Sequence, residues 1–260
     1  MENLSGAVPD ALVPTRLSVN LNKIALLRNA RRTGVPDLLH FAALAREAGA
    51  DGITVHPRPD ERHIRRTDVL ALAALMKPWR PAFELNVEGY PDERLFEIVT
   101  AVRPEQCTLV PDAPDVFTSD EGWKLDDAQT ATVRAAIARL KPLGCRVILF
   151  VDPDPAIVAR VAATGAAGIE IYTADYAAAA RRGADEDILQ ACVDTAMAAQ
   201  RLGLRVNIGH DLNLTNLPRL LAKTGTIAEV SIGHELTADA LIIGFGAAVA
   251  AYKSALTNIE

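Results

Sequence analysis

The sequence predicts an α/β fold, a single (β/α)8 TIM barrel with eight parallel strands, on three observations. Short β-branched runs alternate with Ala/Leu-rich amphipathic stretches along the whole chain. No GxGxxG follows the first strand, as the main competing fold, an open dinucleotide-binding sheet, would have it. Polar residues recur at the C-terminal end of nearly every strand instead of around one switch point, as they do when all strands end at one barrel mouth.

The candidate strands are Arg16–Asn22, Gly52–Pro57, Ala82–Glu88, Gln106–Asp112, Arg146–Asp152, Gly168–Ala174, Arg205–Asp211 and Glu229–Glu235, each followed by a helical pattern. Pro36 and Gly49 bracket PDLLHFAALAREAGA in the order that helix ends prefer. The helical stretches ending at Gly144 and Gly203 stop in the same way. At 260 residues the chain fits one barrel, which uses about 250. The expected division is a flexible extension over residues 1–15 and a catalytic barrel over 16–260.

Composition excludes several classes. The chain is 50% hydrophobic with a net charge of -6 and no long basic tract, which argues against nucleic acid as a partner. Local arginines can still draw anions into a cleft. No run of about 18 apolar residues offers a membrane span, and the N-terminus lacks a signal-peptide pattern. Cys107, Cys145 and Cys192 are scattered, so neither a disulfide framework nor a zinc site is expected. No HxH or HExxH spacing suggests a catalytic metal. The default location is the cytoplasm.

The strand ends carry the chemistry: Asn20 and Asn22, His56 and Arg58, Glu84, Asp152, Glu170, His210 and Asp211, Gly233 and His234. Four of the five histidines, His56, His63, His210 and His234, fall at these ends or just after them, while His40 lies in a helix. Imidazoles titrate near neutrality and suit proton transfer. Taken singly, each histidine is as readily explained by a bond to a buried carbonyl, and the case for function rests on their convergence. Glu84 lies between Phe83 and Leu85, where desolvation would make its carboxylate a better base. An ion pair with an arginine is the structural alternative for Glu84. Glu170, in IEIY, has the same pattern and suits an orienting role.

Arginines cluster after the first two strands, at Arg28, Arg31 and Arg32 and at Arg58, Arg62, Arg65 and Arg66. Most such runs are solvated surface, but guanidinium forks at a barrel mouth also grip phosphate. IGHD (Ile208–Asp211) and IGHE (Ile232–Glu235) place glycines where the loops after strands 7 and 8 commonly hold phosphate. Two such regions imply two phosphates, on one bisphosphate or on two substrates. The segment PDAPDVFTSDEGWKLDD after strand 4 has the length and composition of either a lid or an inert surface loop; as a lid it would bring Thr118 or Ser119 to a phosphate.

In order from Ser18 to Gly244, the segments SVNLNKIALLRNAR, DGITVHPRPDERHI, FELNVEGYPDE, TLVPDAPDVFTSDEGW, IEIYTADYA, NIGHDLNLTNL and EVSIGHELTADALIIG together resemble the pyridoxine 5′-phosphate synthase family of vitamin B6 biosynthesis. The resemblance implies a condensation of 1-deoxy-D-xylulose 5-phosphate with 3-amino-2-oxopropyl phosphate, without metal or organic cofactor. It implies His56 and Glu84 as proton acceptors and His210 as proton donor. Arg58, His63 and Thr118 would hold deoxyxylulose phosphate; Asn20, Arg31, Gly233 and His234 would hold the aminoketone phosphate. Asp211 also falls at a binding position. The resemblance further implies a homo-octamer built from dimers. Asn22-Lys23, Asp211 and Tyr172 stand where the best-known branch has Asp-His, glycine and histidine, and look like the forms of another branch.

Two other readings compete. A Schiff-base phosphosugar aldolase would use Lys23, the one lysine near a predicted strand end. A non-catalytic phospholigand-binding barrel would need no acid–base set, and His56, Glu84 and His210 argue against it.

Overall fold

The structure is a computed structural model and describes residues 14–112 and 121–257. Thr118, Ser119 and nearly all of the expected N-terminal extension lie outside the described residues. Eight parallel strands close into a barrel in sequence order: β1 (Arg16–Asn20), β2 (Gly52–Val55), β3 (Glu84–Gly89), β4 (Gln106–Leu109), β5 (Arg146–Val151), β6 (Gly168–Tyr172), β7 (Arg205–Gly209) and β8 (Glu229–Ile232). The ring closes where Leu17 and Val19 of β1 lie opposite Val230 and Ile232 of β8.

Helices α1 (Asn22–Asn29) and α2 (Leu38–Glu47) follow β1, α3 (Arg66–Met76) follows β2, and α4 (Glu93–Val102) follows β3. Then come α5 (Asp127–Leu140) after β4, α6 (Val158–Thr164) after β5, and α7 (Ala174–Arg181) with α8 (Glu186–Arg201) after β6. α9 (Leu217–Thr224) follows β7, and α10 (His234–Ile243) with α11 (Phe245–Ala255) follows β8. The sequence pattern suggested one helix per strand. Among the described residues, three strands carry two, because α1, α7 and α10 are short helices set at the mouth before the chain descends. The helix ends follow their local chemistry. Asp37, Asp92 and Asp126 cap α2, α4 and α5 by accepting backbone N–H bonds. Gly49 stops the chain after α2 with φ +94°, which a residue with a Cβ seldom adopts.

Alternation along the strands builds two environments. The outward positions are aliphatic or Cys, among them Leu17, Val19, Ile53, Val55, Leu85, Val87, Ile169, Ile171, Val206 and Ile208, all essentially inaccessible under the helices. Burying each such side chain contributes roughly 1.5–3 kcal/mol. The inward positions are mostly polar, unlike the branched aliphatic filling usual in this fold. Most of them pair across the lumen, as buried polar groups tend to, with Asn207 Oδ1 and part of the Arg205 guanidinium left over among the described residues. At the N-terminal end, Arg16 Nη1 reaches Glu84 Oε1 at 2.5 Å and Arg146 pairs with the other oxygen. One level up, Gln106 of β4 donates to Glu229 of β8 on the opposite wall at 2.9 Å. Higher still, Ser18, Thr54, Asn86, Thr108 and Glu170 form a connected chain. Among the described residues, no helix is long and apolar enough to cross a membrane.

Candidate active site

A cavity of about 510 Å³ opens at the C-terminal ends of the strands. Its walls come from β1, α1, β3, β6, α7, β8, α10 and the loops after β2 and β7, so residues distant in sequence share one space.

Two asparagines brace one side. Asn20, the last residue of β1, accepts a bond from the Asn22 N–H at 2.9 Å. Asn22 in turn accepts from the His56 N–H at 2.9 Å, tying the start of α1 to the end of β2. Lys23 stands beside them in the cavity wall. The loop after β2 supplies Arg58 and His63. Arg58 Nη1 donates to buried Asp112 Oδ2 at 2.8 Å, which fixes the guanidinium before any ligand arrives. His63 Nδ1 accepts from the Ile64 N–H at 2.9 Å.

Glu88, at the end of β3, is the carboxylate of this cavity. Its Oε2 lies 3.9 Å from His56 Nδ1, and both residues are buried. Burial, the nearby Glu170 and Asp112 push Glu88 well above the usual carboxylate range. Burial, His63, Arg58 and His210 push His56 well below the usual imidazole range. Both shifts favour the uncharged forms, a carboxylic acid beside a neutral imidazole. Glu170 sits one level deeper, raised to about 8 by burial and Glu229. Gly209 leaves room for it, since a Cβ there would lie 2.6 Å from Glu170 Oε1.

The opposite wall carries His210 and Asp211. Both have positive φ, +81° and +55°, where non-glycine residues are uncommon. Thr173 Oγ1 donates to the carbonyls of Gly209 and His210 and pins the turn. The His210 ring packs against Phe150 and Tyr172, and burial lowers it to about 4. His63 also falls to about 4, through burial, Arg58 and Lys23. Gly233 and His234 begin α10 at the rim, and the Asn20 side chain lies against Gly233, 3.1 Å from where a Cβ would stand.

The predicted site is thus largely assembled: Asn20, Asn22, Lys23, His56, Arg58, His63, His210, Asp211, Gly233 and His234 all line one cavity. Three expectations differ. Glu84 is not at the mouth; it opens β3 at the opposite end, ion-paired to Arg16 and Arg146. Glu84, Asn86 and Glu88 all face inward on that strand, and of the three only Glu88 reaches the C-terminal end. Arg31 is exposed just beyond α1 and does not line the cavity. Predicted strand ends also ran too long. β7 stops at Gly209 because His210 and Asp211 leave extended geometry. Glu88, Tyr172 and Ser231 line the cavity without having been singled out for a role. Among the described residues no group of three or more His, Cys, Asp or Glu side chains is arranged to hold a metal ion.

A closed parallel barrel with acid–base groups and cations gathered at its C-terminal mouth is an enzyme of the (β/α)8 class. Solved structures agree on the fold: a tryptophan synthase chain from M. tuberculosis superimposes with a TM-score of 0.62 at 15% identity, over 94% of this chain and 92% of that one. Sequence is more specific. Residues 17–258 match the family model described as pyridoxal phosphate biosynthesis protein PdxJ, and the chain belongs to that family. Pyridoxine 5′-phosphate synthase of Albidiferax ferrireducens is 48% identical, covering 92% of this chain and 96% of its own. That of Chelativorans sp. is 47% identical over 94% and 99%.

Proposed function

We propose that this barrel joins 1-deoxy-D-xylulose 5-phosphate to 3-amino-2-oxopropyl phosphate, giving pyridoxine 5′-phosphate, inorganic phosphate and water. The observation that carries the reading is the His56–Glu88 pair, 3.9 Å apart, in a cavity that also holds His210 and the cations Lys23, Arg58 and Arg62. Imine formation, C–H deprotonation and ring closure each move a proton between weak acids, so several fixed donors and acceptors are needed. His56 takes a proton, Glu88 exchanges one with it, and His210 returns one to a leaving oxygen. The role first given to Glu84 passes to Glu88. The arriving phosphates bring negative charge, which raises the proton affinity of imidazoles that are neutral in the empty cavity.

Arg58, His63 and, outside the described residues, Thr118 hold the deoxyxylulose phosphate. Asn20, Gly233 and His234 hold the aminoketone phosphate, with the N–H groups at the start of α10 supplying donors. Asp211 and Asn22 shape the wall between them, and Glu170 supports from beneath. The enzyme acts in the cytoplasm as a homo-octamer built from dimers. In support, Leu241 and Ile242 at the end of α10 are 79% and 83% exposed, an apolar face suited to another subunit.

The direct test gives purified protein both substrates and follows pyridoxine phosphate by absorbance. Product is expected without added metal or organic cofactor; none under any condition would overturn the reading. Lys23 in the cavity wall keeps one rival in play, and borohydride trapping of a substrate adduct on Lys23 would favour the Schiff-base aldolase instead.

A further inference from the structure

His210, read above as the proton donor, has no carboxylate hydrogen-bonded to its ring among the described residues. A catalytic imidazole is ordinarily aimed by a hydrogen bond to the ring nitrogen facing away from the substrate. The Nδ1 of His210 is buried with no well-formed hydrogen bond among the described residues, and the ring's one backbone contact is with Gly209. Two aromatic rings touch it instead. Phe150 from β5 lies 4.9 Å from the imidazole centroid, and Tyr172 at the end of β6 lies 5.3 Å away, edge-on. Their own centroids are 5.4 Å apart, so the three rings close a cluster. Tilted and edge-on contacts at these distances are the favourable ones for aromatic rings. Phe150 is almost fully buried, next to Glu170 in the β5–β6 register.

We propose that Phe150 and Tyr172 are positioning residues that form an aromatic seat for His210, fixing its ring plane by packing where other sites use a hydrogen-bonded carboxylate. The seat rests on the reading of His210 as proton donor. It aims the ring at the cavity and keeps water from its buried edge. The charged or titratable groups facing His210 are Tyr172 itself, Asp211 beside it, Lys23 on α1 and His56 just past β2. With the seat removed, water reaches the imidazole and its titration moves from about 4 towards its ordinary 6.5.

The test uses Phe150→Leu, Tyr172→Leu, their combination and His210→Asn in the intact enzyme. Each is measured for kcat and KM with both substrates, for its pH–rate profile, and by NMR titration of labelled histidine. The double variant is expected to lose about 10–100-fold in kcat with little change in KM, because a misaimed donor costs the chemical step. The His210 titration should rise in the same variant, and Tyr172→Phe, which keeps the ring, should leave it where it is. If the double variant does not fold, Tyr172→Leu at the cavity rim decides on the same readouts. A folded seat variant with unchanged His210 titration and unchanged pH–rate profile overturns the seat. Full turnover by His210→Asn overturns the donor reading instead, so the two failures are distinguishable.

Discussion

At the N-terminal end of the barrel, Arg16 and Arg146 hold both carboxylate oxygens of Glu84. At the C-terminal end of the same strand, Glu88 faces a neutral imidazole and further acids. The two glutamates share one strand and one face. What separates them is their partners: cations on either side make Glu84 part of the barrel's closure, whereas burial, a histidine and neighbouring acids favour the protonated form of Glu88. Strand and face therefore do not decide what a buried carboxylate does; the level at which it meets its neighbours does.

Exchanging each glutamate for glutamine tests that contrast at its strongest. Glu88→Gln should lower kcat on the order of 10²–10⁴-fold, the usual worth of a positioned acid–base group, while the melting temperature stays close to wild type. Near-normal turnover would return the role to another residue. Glu84→Gln should do the reverse, keeping kcat within a few fold while costing about 2 kcal/mol by thermal or urea unfolding. That figure is below the cost of breaking a fully buried pair, because Arg16 and Arg146 are partly exposed. A large loss of turnover with intact stability would erase the difference between the two ends.

The smallest effect is in the pH dependence of stability. Glu170 is raised from its ordinary 4.5 to about 8, so the folded state keeps a proton that the unfolded chain releases. Its contribution is complete below 4.5 and is lost as pH rises to about 8. His63 and His210 are lowered from 6.5 to about 4 and work oppositely, losing their contribution as pH falls through that window. The two trends offset each other between 4.5 and 6.5. Above 6.5 the buried glutamates dominate, so the melting temperature should decline from pH 6.5 to 8. Glu170→Gln should flatten that decline, and an equally steep slope in the variant would place the proton elsewhere.

Most of the barrel is legible in the sequence, because strand runs and helix punctuation are local signals. Leu17–Val19 and Ile53–Val55 announce strands, and Gly49 and Gly203 mark helix ends, without knowledge of the whole. Histidines next to strand ends are equally visible. What escapes is depth. Glu84 and Glu88 have the same inward phase, and choosing between them requires the register, which pairs Gly52 with Glu84 and so sets Glu84 four residues below His56. Arg31 escapes for a related reason: it follows α1 closely in sequence, but the helix carries it out to the surface. The aromatic contacts of His210 join β5, the end of β6 and the turn after β7, and leave no trace in any one of these segments.

The turn at His210 and Asp211 has a consequence for how this protein can change. Two successive left-handed residues cost roughly 1–3 kcal/mol each. Selection for thermal robustness alone would favour glycine at either position, and at position 210 the gain would come at the expense of the imidazole itself. A laboratory lineage evolved for heat tolerance without a demand for turnover should therefore lose its chemistry here early, long before its barrel falters.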